Sequence, residues 1–198
     1  MKKKVLAING STRTASANGA LLQAITQLSS GRFDIHIFSG LEDIPIFNPD
    51  KDSETAVIPP TVSAFRKLIN EATAVIICTP EYAIGVPGAL KNAIDWTVSA
   101  MNFSNKPVAL ITASLGGYHA HNALLGTLLI IEAKINAETQ LLISGIKGKL
   151  KDNSTLDDTT KQAIDKLISS LYQLIDGDET GLLVPPPMTQ PIQLHFKP

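Results

Sequence analysis

Residues 74–78, Ala74-Val75-Ile76-Ile77-Cys78, are a short run of apolar, largely β-branched side chains between polar neighbours. A run this short and this uniformly apolar reads as a strand buried on both faces, as in a parallel sheet. A loop with four prolines and glycines follows, at Pro80, Gly85, Pro87 and Gly88. After it Val86, Leu90, Ala93, Ile94 and Trp96 recur at helical spacing, which predicts a helix to about Ala100. Pro87 suits the first turn of that helix, where a missing N–H costs nothing. Strand, glycine-bearing loop and helix N-terminus in succession form the usual ligand-binding place of an α/β protein.

The rest of the chain repeats this alternation. Lys3 to Ile8 reads as a first strand, and Leu21, Leu22, Ile25 and Leu28 as a helix. Phe33, Ile35 and Ile37 alternate with Asp34, His36 and Phe38, a second and less buried strand whose polar face carries His36. From Ser39 to Pro60 no period is sustained, and loops this long are often functional or interfacial. Val62, Phe65, Leu68 and Ile69 mark a helix before the central strand. Val108 to Thr112 is a fourth strand, Leu124, Leu125, Leu128, Leu129 and Ile131 a strongly buried helix, and Thr139 to Ile143 a fifth strand. Gly145 to Asn153 is glycine- and lysine-rich and reads as loop. Ser154 is a fair N-cap for a last helix carrying Ile164, Leu167, Ile168, Leu171, Leu174 and Ile175.

Five strands alternating with helices imply a parallel sheet with right-handed crossovers and helices on both faces. Two doubly wound α/β arrangements compete: a flavodoxin-like strand order 2-1-3-4-5 and a Rossmann dinucleotide fold. In the first, strands one and three are neighbours. The loops at Gly10 and Pro80 then face each other across one crevice, with the Ser114 loop beside them. Residues 1–177 read as one domain. Residues 178–198 read as a proline-rich C-terminal arm, extended and non-helical, expected to pack on a neighbouring subunit.

Composition narrows the function. The 198-residue chain is 44% hydrophobic with a formal charge of −1, and no basic stretch is interleaved with aromatics. A nucleic-acid partner is therefore disfavoured. Apolar runs are strand-sized, too short to span a bilayer. The single Cys78 excludes an internal disulfide and fits a reducing cytoplasm. With no activating base near it in sequence, Cys78 reads as a small core residue.

The first loop, Gly10-Ser11-Thr12-Arg13-Thr14-Ala15-Ser16-Ala17-Asn18, has neither G-x-G-x-x-G nor G-K-[ST]. It offers hydroxyls, an amide, one fixed positive charge and helix-start N–H groups, which suits the terminal phosphate of a mononucleotide. The plainer reading is a polar N-cap loop. The Pro80 loop is short of catalytic side chains. Glu81 is either a general base or, preferred here, a brace that accepts backbone N–H bonds. Tyr82 is either a wall for a planar ligand or half-buried packing. Gly85 and Gly88 permit close backbone approach. Such a loop suits a flat heteroaromatic cofactor that does its own redox chemistry. Ser114, Gly116 and Gly117 are either donors to that cofactor's edge or an ordinary turn. A serine-hydrolase elbow fails, because G-x-S-x-G is absent. His119 and His121, at i and i+2 on a helix, point apart, so no metal site is expected.

The sequence resembles the NADPH-dependent FMN reductases and their quinone, azo and chromate reductase relatives. Gly10-Ser11-Thr12-Arg13 through Asn18 is similar to that family's G-S-x-R-x-x-S-x-N phosphate loop. Thr79 through Trp96 is similar to its T-P-E-Y-x-x-x-x-P-G-x-L-K-N-x-x-D-W signature, and the likeness spans about residues 3–176. The resemblance implies a flavodoxin-like fold, non-covalent FMN, and NADPH or NADH as donor. Ser11, Arg13, Ser16 and Asn18, with Ala17, would hold the phosphate. Pro80, Glu81 and Tyr82, with Ala83, would flank the isoalloxazine, and Ser114, Gly116 and Gly117 would lie near its edge. No side chain would be catalytic, because flavin N5 carries the hydride to a flavin, quinone, azo compound or metal oxyanion. A homodimer or homotetramer with the flavin near the subunit interface is implied, without nucleic-acid or membrane partners. A flavodoxin-type electron carrier and a low-turnover FMN-binding regulatory protein are the alternatives. Two departures stand out: Ala83-Ile84-Gly85 where many members have Asn-Gly-Ser, and Tyr118-His119-Ala120-His121 after Gly117.

Overall fold

A computed structural model describes residues 1–53, 55–151 and 155–187 of the chain. Its centre is a parallel sheet of β1 (Lys3–Asn9), β2 (Phe33–Phe38), β3 (Ala74–Thr79), β4 (Val108–Ser114) and β5 (Gln140–Ser144). The spatial order is β2-β1-β3-β4-β5, the flavodoxin-like order, and the Rossmann alternative falls away. Val5 pairs with Ala74 and Asn9 with Cys78, so β1 and β3 end level with one another.

The alternation along each buried strand divides the core. Leu6, Ile8, Val75, Ile77, Val108 and Leu110 face α2 (Pro60–Glu71), α3 (Gly88–Asp95) and α4 (Tyr118–Ile130). Val5, Ala7, Ala74, Ile76, Cys78, Ala109 and Ile111 face α1 (Ala17–Leu28) and α6 (Asp158–Ile175). The second face is built from smaller side chains, and Cys78 is one of them. It is fully buried, and burial pushes its thiol pKa far up, so the sulfur stays protonated and unreactive.

Three elements differ from the sequence reading. Helix α3 stops at Asp95 rather than near Ala100. The Arg66 guanidinium donates to the Trp96 carbonyl at 2.6 Å and takes up an acceptor freed at the helix end. Backbone turns follow, with Met101 and Asn105 at positive φ. Residues 146–151, read as loop, form a short helix α5 (Ile146–Lys149) and strand β6 (Leu150–Lys151), which pairs with β7 (Thr155–Leu156). The N-cap of α6 is Asp157, whose carboxylate accepts from the Thr160 amide at 2.8 Å. Ser154, the expected cap, lies outside the described residues, as does the arm beyond Pro187.

The aperiodic segment after β2 is fixed by α3. The Asn92 side chain accepts from the Phe47 amide at 2.8 Å and donates to the Pro45 carbonyl at 3.0 Å. The Trp96 indole donates to the same carbonyl at 2.8 Å, and Phe47 meets its ring edge-on at 5.1 Å. These bonds satisfy backbone groups that no regular structure pairs. Past α6, the Leu183 amide donates to the Ile135 carbonyl at 2.8 Å, so the chain returns along its own subunit to that point.

Candidate flavin site

All five parallel strands carry their connecting loops to one end of the sheet. Between β1 and β3 the crossovers leave in opposite directions, which opens a crevice there. At its floor the chain is tight. A Cβ on Gly10 would meet the Thr79 side chain at 2.6 Å, so only glycine lets the first loop leave β1 beside β3. A cavity of ≈ 420 Å³ lies above, lined by Ser11, Arg13, Ser16, Ala17, Asn18, Pro80, Tyr82, Ala113, Ser114 and Leu115, with Gly145 to Gly148 at one side. Its volume lies within the range of pockets that hold small organic ligands.

The first loop is ordered from below. The Ser11 amide donates to Asn9 Oδ1 at 3.2 Å, and the Arg13 amide to Ser11 Oγ at 3.3 Å. Ser11 Oγ also lies 3.2 Å from the Tyr82 hydroxyl and joins the two facing loops. Ser16 is the N-cap of α1, its hydroxyl oxygen accepting from the Gly19 amide at 2.9 Å. The amides of Ala17 and Asn18, in the first turn, have no acceptor among the described residues, and no acidic side chain lies in that turn. The Arg13 guanidinium is exposed and forms no ion pair among the described residues. Asn18 lines the cavity, yet its amide is engaged beneath it. It donates to the Ala113 carbonyl at 3.2 Å and accepts from Cys78 Sγ at 3.2 Å, tying α1 to β4 and β3.

Glu81 takes a different direction from the cavity. Its carboxylate oxygens accept from the Gly117 amide at 3.1 Å and the Ala120 amide at 2.9 Å, across the N-terminus of α4. Those amides, with that of Ala120 foremost, hold its pKa below the ordinary 4.5, so it is ionised at neutral pH and is no base poised near 7. The cavity thus lies beside two helix N-termini with opposite status. That of α4 already holds a carboxylate, and that of α1 is open with a cation beside it. A helix start with open amides and a cation beside it is the kind of place that suits an anion.

Around Tyr82 the third loop makes a two-residue β-turn. Tyr82 and Gly85 exchange both backbone bonds at 3.0 Å. Ala83 and Ile84 between them have φ of 49° and 60°. This is a type I′ geometry, which Asn-Gly adopts without strain. Left-handed backbone costs an ordinary residue roughly 1–2 kcal/mol, and a β-branched one at such φ is an outlier. Ala83, Glu81, Gly116 and Gly117 do not line the cavity itself. Gly117, at φ 104°, sits where a Cβ would meet Leu142 at 2.8 Å and Thr112 at 3.0 Å, which packs the fourth loop down onto the sheet.

The sequence reading did not anticipate Gly145 to Gly148. The Gly145 amide donates to the Ser114 carbonyl at 2.8 Å, which brings this turn and Lys147 to the cavity. Neither histidine lines the cavity. His119 is exposed, and His121 is buried between the Thr112 hydroxyl at 3.0 Å and Gln140 Oε1 at 2.8 Å. Burial lowers the His121 pKa, the Gln140 bond opposing, so the ring is neutral at pH 7.

The Glu81 carboxylate predicts a pH-dependent brace. A depressed carboxylate contributes stability that is complete above its unfolded pKa, near 4.5, and is lost as pH falls through the lower folded value. Glu81→Gln is expected to lower the melting temperature at pH 7 and to speed amide hydrogen exchange at Gly117 and Ala120. The gap to the wild type should narrow below pH 4.5. Equal exchange at these two amides would remove the brace.

The comparisons with known proteins agree with this geometry. The family model for NADPH-dependent FMN reductase matches residues 3–148. A quinone reductase of Escherichia coli is 31% identical over 173 residues, covering 81% of this chain and 92% of the relative. An NAD(P)H-dependent FMN reductase of Pseudomonas aeruginosa is 33% identical over 174 residues, covering 85% of this chain and 92% of the relative. Among solved structures, the flavoenzyme NAD(P)H:(acceptor) oxidoreductase FerB of Paracoccus denitrificans has a TM-score of 0.71 at 26% identity. It covers 91% of this chain and 100% of its own. An archaeal flavodoxin, TM-score 0.59 at 14% identity over 87% of this chain and 99% of its own, shares the fold alone. Among the described residues no helix is long and apolar enough to cross a membrane. The match of the family model over residues 3–148, with relatives at 31% and 33% identity, places this chain in the NADPH-dependent FMN reductase family.

Proposed function

We propose that the protein is an NAD(P)H-dependent FMN reductase that passes a hydride from a nicotinamide, by way of bound FMN, to a small acceptor such as a quinone or flavin. The observation that carries this reading is the division between the two helix N-termini: α4 holds Glu81, and α1 is open beside Arg13. A phosphate on an apolar planar ligand satisfies both ends of such a cavity at once.

The residues present fit FMN. Ser11, Arg13, Ser16 and the amides of Ala17 and Asn18 would hold the phosphate, and Lys147 adds a second positive charge at the same wall. Pro80, Tyr82 and Ala83 would flank the ring, with Ser114, Gly116 and Gly117 toward its edge and Glu81 fixing their loop. When bound, FMN supplies two-electron chemistry at its own ring, accepting a hydride and passing it on. The chain's part is to bind, orient and limit water. No side chain in the cavity is arranged as a general acid or base. Over a full cycle the nicotinamide loses two electrons as a hydride, and a quinone takes up that hydride and one solvent proton. The protein acts on small-molecule acceptors as a homodimer or homotetramer in the cytoplasm, without nucleic-acid or membrane partners. A flavodoxin-like carrier is disfavoured by the −1 net charge, which supplies no strongly acidic docking face.

Two measurements test the reading. Anaerobic NADPH added to the FMN-loaded protein is expected to bleach the flavin's visible absorption, and a quinone to restore it. A spectrum unmoved by NADPH and NADH would refute the reductase. Arg13→Ala is expected to weaken FMN binding by about 1.5–3 kcal/mol, roughly 10- to 100-fold, as loss of a charge-assisted bond. Fluorescence titration with equal affinities would exclude Arg13 from the site.

A further inference from the structure

We propose that Ile84 is a specificity-determining residue. With Tyr82 and Leu115 it forms an apolar lip at the cavity mouth that selects uncharged ring acceptors over charged ones. The proposal rests on the reading that the cavity holds FMN.

Three observations carry it. First, Ile84 stands at φ 60° in a two-residue turn, behind Ala83 at 49°. Folding does not require this side chain there, because it is 70% exposed and Asn-Gly would close the same turn without strain. Strain held at an exposed position beside a ligand cavity points to a role outside folding. Second, exposed apolar side chains adjoin the site, although Ile84 itself is not one of the cavity's lining residues. Tyr82 and Leu115 both line the cavity, yet are 49% and 90% exposed. Their loops are joined by Glu81, which is bonded to the Gly117 amide. Ile84 lies two residues from Tyr82 in a turn closed by both Tyr82–Gly85 bonds. Third, the lip has no charge of its own. The cavity's cations, Arg13 and Lys147, belong to the loops after β1 and β5, whereas Tyr82 and Leu115 follow β3 and β4.

The lip borders the cavity of ≈ 420 Å³ in which FMN would lie, so its occupant is a small molecule at the cavity mouth, against the cofactor's exposed face. An uncharged aromatic ring gains by covering Ile84 and Leu115, because that contact removes apolar surface from water. A sulfonated or carboxylated ring must keep its charge hydrated and gains less.

The test compares wild type, Ile84→Gly and Ile84→Val, each loaded with FMN. Isothermal titration measures binding of 1,4-naphthoquinone and 1,4-naphthoquinone-2-sulfonate to the oxidised protein without NADPH. Loss of the side chain is expected to weaken naphthoquinone binding about 5- to 20-fold, in keeping with one buried aliphatic group. Sulfonate binding should change less than about twofold, since its contacts with Ile84 are few. Ile84→Val should recover most of the loss. Relief of the left-handed strain should raise the melting temperature of Ile84→Gly by about 2–6 °C. Naphthoquinone binding unchanged in Ile84→Gly would overturn the proposal. So would a fall in melting temperature with a smaller assembly by light scattering, because the side chain would then be a contact with a second copy. Failure of the wild type to bind FMN would instead refute the functional reading, and the two failures are told apart by the visible spectrum.

Discussion

The side-by-side parallel pairing of β1 with β3 is the constraint from which the site follows. Because Asn9 and Cys78 are in register, the loops after the two strands leave at the same height and turn to opposite faces of the sheet. The crevice between them needs no dedicated side chain to open it. It does need a floor, and Gly10 supplies one by lying where any Cβ would strike Thr79. Small side chains on the α1/α6 face, Ala7, Ala74 and Cys78 among them, let α1 approach the sheet with its N-terminus at the crevice.

Electrostatics then assigns the two helix ends. Both α1 and α4 start near the cavity, and each helix start carries a partial positive charge. The chain spends its own carboxylate on α4, through Glu81, and leaves α1 to an external anion. An internal anion at one end ties the loop after β4 to Glu81, and the open amides at the other end are what the proposed phosphate site rests on. Had Glu81 been free, a carboxylate near the cavity would have opposed the binding of an anion there. As a brace it faces away.

What was legible in the sequence was what short-range pattern encodes. The fully apolar runs, the 3.6-residue spacing of α2 and α6, and the hydroxyl-rich loop before Asn18 each depend on neighbours in the chain. The alternation of strands and helices left two strand orders open, and the flavodoxin-like one came from the family resemblance of the two loops rather than from the alternation itself. The rest depended on contacts between distant residues. The brace function of Glu81 was readable, but its target amides lie 36 and 39 residues away, and no local pattern points to them. Helix α3 ends early because Arg66, 30 residues before Trp96, takes a carbonyl. The stretch from Ser39 to Pro60 showed no period, and what fixes its Phe47 and Pro45 backbone is Asn92 and Trp96, 45 and 51 residues on. Lys147 was hidden in a stretch whose glycines and lysines read as solvent-facing loop, until the Gly145 amide was placed on Ser114.

The central claim is that the open end of α1 with Arg13 is a phosphate site, so that affinity for the cofactor depends on its phosphate. Titration of the flavin-free protein with FMN and with riboflavin, at low and moderate salt, tests this most directly. The account predicts that FMN binds about 100-fold or more tighter than riboflavin, with a difference that shrinks as salt rises. Equal affinities for the two flavins, unaffected by salt, would contradict it.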